Sequence, residues 1–285
     1  MADIDFLAEA NFMRSNVLDR PEHLLQRGSN LVSMFGVTAN YMNDGASYIE
    51  QVRSIDPRYR NSKGEERSIS RQDVATKAHT MTDDLLVGHV MSTAEDLGIL
   101  TPAYPFDTFA KSAEVVLVTG GVLNALRSRT IFAKNAGIPV VKLVGSDRAV
   151  QAGELKQLES EGKDPSTFKT ELDLANLVAE EQNIDVFAPR TTSPDNLDVI
   201  KEFVLTNLIE NIAVVTTPLY VPFATTDIGT VLSAFKGEVK AQVYAGESDP
   251  QIVAKRTVDV YRSEIARTLV GAQRWYAENK RRQAN

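Results

Sequence analysis

Apolar and polar positions change rhythm at about residue 110. Upstream, apolar residues recur at helical spacing: Phe6, Leu7, Ala10 and Met13, then Leu24, Leu25, Leu31, Val32 and Phe35. This spacing predicts short helices with one buried face. The polar run from Arg53 to Arg67, with Pro57 and Gly64, reads as an exposed loop. Ser70 and Asp73 resemble a capping box and predict a helix running to Asp96, closed by Gly98. Downstream, Glu114–Val118 is a nearly unbroken apolar run, too short for a bundle helix and rich in valine. It suits a strand covered on both faces. Thr119-Gly120-Gly121 then turns the chain. Leu123, Leu126, Thr130 and Ala133 step at helical spacing, Gly137 supplies a left-handed end, and Pro139–Val144 reads as a second strand.

The alternation continues. Asp147 and Arg148 are expected to open a helix closed by Gly162, and Asp164-Pro165 another, with Phe168, Leu172, Ala175 and Ala179 as its stripe. Ile184–Phe187 is a third strand. Ser193-Pro194-Asp195 opens a helix with Leu197, Ile200, Val204 and Leu208 facing inward. Ile212–Val215 is a fourth strand, a helix follows from Pro222, and Lys240–Tyr244 is a fifth strand. Ser248-Asp249-Pro250 is read as the start of one long final helix. Five strand–helix steps predict an α/β fold: a doubly wound, mostly parallel, five-stranded Rossmann-like sheet with an N-terminal helical extension. The expected domains are a helical region, 1–105, packing on the core, and a Rossmann-like α/β domain, 106–285.

Composition narrows the classes. The chain has 31 Lys+Arg against 38 Asp+Glu, a formal charge of -7, which argues against a nucleic-acid partner. With no cysteine there is no disulfide framework and no thiol nucleophile. The start is acidic, unlike a signal peptide, and no apolar run approaches the ~20 residues of a membrane span. A cytoplasmic protein without a membrane partner is expected. His79 and His89 are too far apart for an adjacent metal pair, and no metal-ligand cluster is evident, so no metal is expected.

In open sheets of this kind, ligands bind beyond the carboxyl ends of the strands. The polar residues expected there are Thr119, Gly120, Gly121, Ser146, Asp147, Arg148, Arg190, Thr191, Thr192, Ser193, Thr216, Thr217, Glu247 and Ser248. Helix N-termini with hydroxyls and a nearby arginine suit phosphate or carboxylate. The full dinucleotide fingerprint and the P-loop lysine are both missing. The reading is a pocket for a small, oxygen-rich anion. Asp147 and Asp195 are the candidate catalytic bases, although both also suit helix caps.

Four short motifs stand in order along the chain. They are Val115–Gly121 with Arg127 or Arg129 on the next helix; Glu171 on a later helix; Ser193-Pro194-Asp195-Asn196; and Val215-Thr216-Thr217-Pro218-Leu219-Tyr220-Val221-Pro222-Phe223-Ala224. Together they resemble the YdcF/SanA/ElyC-like family of Rossmann-like domains, over roughly Ala113 to Phe235. Tyr220 stands where the family has histidine and Phe223 where it has arginine, so an imidazole and a guanidinium are absent from the implied pocket. The strand-end rule and these motifs together give the expected ligand site: Thr119, Gly120, Gly121, Arg127, Ser146, Arg190, Thr192, Ser193, Asn196, Thr216, Thr217 and Tyr220. The expected activity is binding of a phosphate-bearing or nucleotide-type molecule, with transferase or hydrolase chemistry as candidates. The ligand stays open, S-adenosylmethionine included. The alternative is a catalytically degenerate member acting as an interaction or structural protein, with a homo-oligomer formed through the N-terminal helices as one version. A sugar-phosphate-isomerase-like domain ranks third, because its hydroxyl-rich first loop is reduced here to Thr119.

Overall fold

A computed structural model describes residues 20–56, 83–138, 140–190, 196–207, 209–235 and 239–284. In chain order its helices and strands are α1 (Pro21–Met34), α2 (Gly45–Arg53), α3 (Asp84–Asp96), β1 (Val115–Thr119), α4 (Leu123–Lys134), β2 (Val141–Val144), α5 (Ala152–Ser160), α6 (Glu171–Gln182), β3 (Asp185–Phe187), α7 (Asn196–Thr206), β4 (Asn211–Val215), α8 (Val221–Leu232), β5 (Lys240–Tyr244), α9 (Pro250–Val253) and α10 (Val258–Gln283). Two compact units result. A sheet unit gathers the described residues of Pro105–Thr217 and Ala234–Gly246; a helical unit gathers those of Met1–Tyr104, Pro218–Ser233 and Glu247–Asn285. The sequence reading assigned everything after residue 105 to the sheet, whereas α8, α9 and α10 are counted with the N-terminal helices.

The sheet unit is a five-stranded parallel sheet in the order β3-β2-β1-β4-β5, flanked by helices. This is the expected Rossmann-like α/β architecture. β1 is central, with Val116 opposite Val141 on one side and Ala213 on the other. All five of its residues are buried, which is why the run reads as continuously apolar. Val116 and Val118 pack with Leu126 and Ala133 of α4 and with Leu174, Ala175 and Val178 of α6. At the edge, Phe187 of β3 meets Phe203 of α7 edge to face, ring centres 5.0 Å apart. Gly137 takes the left-handed conformation expected of it, at φ +70°.

Three helix starts differ from the sequence reading, each for a local reason. Asp147 and Arg148 do not open a helix, because the β2 exit is zipped to the segment before α6. Ala149 bridges Thr170 antiparallel, Val150 N–H donates to Lys169 O, and Glu171 N–H donates to Arg148 O. The helix therefore begins at Ala152, with a capping box between Gln151 and Glu154. Asp164-Pro165 opens only a single 3-10 turn, and α6 starts later, where Thr170 and Asp173 form a second capping box. Asp249-Pro250 opens the four-residue α9, and the long helix begins afresh at Val258. The capping box expected at Ser70 lies outside the described residues, as do the helix of Phe6–Met13 and His79; within them α3 is capped by Asp83.

In the helical unit, α10 packs against α1, α2, α3 and α8. Its buried side carries Ile265, Leu269 and Ala272 at helical spacing. Close approach depends on glycine: a Cβ on Gly28 would lie 2.5 Å from Leu269 Cδ2, and one on Gly229 2.5 Å from the Trp275 ring. No helix among the described residues is long and apolar enough to cross a membrane.

Candidate functional site at the carboxyl edge of the sheet

Strand order reverses between β1 and β4: from β1 the chain goes next to β2 on one side, and reaches β4 on the other only after β3. The crevice beyond this switch point is where open α/β sheets take ligands. Here it is bridged by one side chain. Arg129 of α4 is 7% exposed. Its Nη1 donates to the carbonyls of Thr119 and Gly120 and, at 3.2 Å, to Thr119 Oγ1. Its Nε and Nη2 donate to Thr217 Oγ1 at 3.1 and 2.7 Å. The guanidinium thus joins the β1 exit to the β4 exit. Thr119 Oγ1 completes the link, donating to Val215 O at 3.0 Å.

Gly121 makes this approach possible. A Cβ there would lie 2.8 Å from Arg129 Nη1 and 3.3 Å from Cζ. Its φ is not in the left-handed region, so space rather than backbone freedom requires glycine at this position.

A second cluster lies at the β2 exit. Glu171, the first residue of α6, is 2% exposed. Its Oε2 accepts from Ser146 N–H at 3.1 Å and Ser146 Oγ at 2.7 Å, and its Oε1 accepts from Arg148 Nε at 3.1 Å. Arg148 also forks onto Glu154, Nη1 to Oε2 and Nη2 to Oε1, and Nη2 donates to Gly121 O at 3.3 Å. Burial works against the Arg148 charge, but hydrogen bonds and Coulomb attraction from Glu154 and Glu171 outweigh it and hold its pKa above the ordinary value. Gly145 permits the tight seating of α6, since a Cβ there would stand 2.6 Å from Leu172 Cα.

The fold brings together Thr119, Gly120, Gly121, Ser146, Thr216 and Thr217, the last residues and exits of three adjacent strands. Thr216 is buried, and its amide donates to Tyr244 O. Asp147 sits half-buried between Ser146 and Arg148. Arg127 is not part of this grouping. It lies on another side of α4, clasped by Glu161 and Glu181, each with an oxygen 2.7 Å from Nη2. Arg190 is exposed beyond β3, and its amide donates to Glu202. Thr192, Ser193 and Asp195 lie outside the described residues; Asn196 begins α7. Tyr220 ends a 3-10 turn that belongs to the helical unit. Of the groups that build the edge, Glu154 was missed altogether. Its signal was the capping-box spacing from Gln151.

The described residues therefore give an edge with one guanidinium across the switch point, a buried carboxylate–guanidinium cluster beside it, and hydroxyls on both sides. Comparison with known protein families, with characterised proteins and with solved structures gave no match.

Proposed function

We propose that the sheet unit binds a small, oxygen-rich anion, phosphate-bearing or nucleotide-type, at the switch point between β1 and β4. The observation that carries this reading is Arg129, whose bonds to Thr119, Gly120 and Thr217 orient a buried guanidinium in that crevice. Charge-assisted hydrogen bonds favour phosphate and carboxylate oxygens over neutral ligands. α4 begins at Leu123, after the N-cap residue Val122, so its first-turn amides add to the attraction. Thr216 and Thr217 supply hydroxyls from the other side. Asp147 is the candidate base for transfer or hydrolysis.

Isothermal titration of the full chain with inorganic phosphate, nucleotides, sugar phosphates and S-adenosylmethionine tests the proposal. Saturable binding is expected for at least one, weakened at least tenfold by Thr217→Val. A folded protein that binds none of them would sink the reading.

A second reading, an interaction or structural protein, is favoured by one observation. The hydroxyls of Thr119 and Ser146 donate to Val215 O and Glu171, so they act as internal ties. Light scattering after size-exclusion chromatography tests its homo-oligomer version, which a monomer at all concentrations would eliminate.

A further inference from the structure

Every N–H of Arg148 has an acceptor inside the sheet unit. Nε donates to Glu171 Oε1 at 3.1 Å. Nη1 donates to Ala149 O at 3.0 Å and to Glu154 Oε2 at 3.1 Å. Nη2 donates to Glu154 Oε1 at 3.0 Å and to Gly121 O at 3.3 Å. A guanidinium carries five such donors, and these bonds use them all, so Arg148 keeps none for a ligand. Its two carboxylate partners are each 2% exposed and stand on different helices, Glu154 on α5 and Glu171 at the start of α6.

Four of those bonds fix where the guanidinium sits. The one to Gly121 O reaches across to the exit of a different strand, β1. Gly121 is also where the second guanidinium rests: a Cβ there would lie 2.8 Å from Arg129 Nη1 and 3.2 Å from Nη2. Arg129 in turn holds the carbonyl one residue earlier, that of Gly120. Two successive carbonyls are thus bonded by two different guanidiniums, with the Gly121 backbone packed against one of them. In an interior this close-packed, a displaced Gly121 displaces Arg129 as well.

We propose that Arg148 is a positioning residue for the anion site: anchored by Glu154 and Glu171, it fixes Gly121 and thereby the Arg129 guanidinium, without touching the ligand itself. The inference rests on the reading of Arg129 as the anion-binding group. A binding group performs best when a supporting shell locks its geometry, and Arg148 with its two carboxylates supplies that shell from two helices. Lysine cannot replace it. An ammonium is a single point of charge without the planar fork, so it cannot span both carboxylates and the Gly121 carbonyl together.

A double-mutant cycle read by calorimetric titration with inorganic phosphate decides the matter. It uses the full chain as wild type, Arg148→Lys, Arg129→Lys and the double variant, each checked for folding by circular dichroism. Arg148→Lys keeps the charge and is expected to weaken phosphate binding about tenfold. Because Arg148 acts through Arg129, the double variant is expected to bind no more weakly than Arg129→Lys alone. A merely structural role would lower the melting temperature and leave the affinity of the folded variant where it was. Undiminished binding by a folded Arg148→Lys, losses that add in the double variant, or a wild type that binds no phosphate would each overturn the inference. Failure of the underlying reading shows differently, as a wild type that binds none of the compounds titrated above. If a variant fails to fold or binds too weakly to compare, a crystal structure of the wild type with phosphate decides. Phosphate on Arg129, with Arg148 Nη2 still bonded to Gly121 O, upholds the proposal; phosphate on Arg148, or none on Arg129, overturns it.

Discussion

Arg129 Nη2 lies 2.7 Å from Thr217 Oγ1, so a side chain from the first helix after β1 holds the exit of β4. Removing the guanidinium leaves the Thr119 and Gly120 carbonyls without this donor. Arg129→Met is therefore expected to destabilise the protein by about 2–4 kcal/mol, read from urea denaturation. A loss below the error of that measurement would show that the bridge is incidental.

Glycines at three places should respond in three ways. Gly145→Ala drives a Cβ to 2.6 Å from the Leu172 backbone, which has no flexible end to yield, so a loss of about 3 kcal/mol is expected. Gly121→Ala meets a side-chain terminus instead and should be destabilising by about 1 kcal/mol, with weakened anion binding. Gly88, exposed within α3, has nothing within 4 Å of its would-be Cβ. Gly88→Ala is expected to stabilise by about 0.5–1 kcal/mol. Thermal melts of the three variants check the ranking, and any other order contradicts it.

The Arg127 clasp should make stability depend on acid pH. Hydrogen bonds from Arg127 and then Gln157 hold the Glu161 carboxyl down at about 2, below its ordinary 4.5. A carboxyl depressed in the folded state contributes stability above its unfolded pKa and loses it as pH falls through the folded value. The window is therefore pH 4.5 down to about 2. Solvent screening limits the contribution to about 1 kcal/mol or less. Arg127→Gln should flatten the fall in urea midpoint over that window, and an unchanged slope would discount the clasp.

Tyr48 buries a hydroxyl that has no partner, and burial raises its pKa. Deleting such a group removes a desolvation penalty. Tyr48→Phe is expected to leave stability unchanged or raise it by about 1 kcal/mol in a thermal melt. A clear loss would reveal a partner for the hydroxyl.

Local signals carried much of the fold. The valine run of β1 signals burial on both faces, and the left-handed Gly137 and Gly162 answer a positive φ, so these features can be read without knowing a partner. The site was less legible because helical spacing left its key arginine ambiguous. Arg127 and Arg129 flank the stripe of Leu123, Leu126, Thr130 and Ala133 on opposite sides, at similar angles. Only the neighbours decide: Glu161 and Glu181 draw one outward, and carbonyls at the strand ends draw the other in. The helix expected at Asp147 failed for a similar reason, since its cap grammar was outweighed by pairing with Lys169–Glu171, a segment distant along the chain. The allegiance of α10 is also non-local. Its stripe announces a buried face without naming what covers it.

The seating of Leu269 against Gly28 sets an order of events during synthesis. Domains tend to fold as their residues emerge, amino end first. The parallel sheet can close once β5 has left the ribosome, whereas α1, which also packs on α3, must wait for α10 before its apolar stripe is fully covered. The nascent protein therefore carries an exposed leucine face through most of its translation, and that interval is when chaperone binding should matter most.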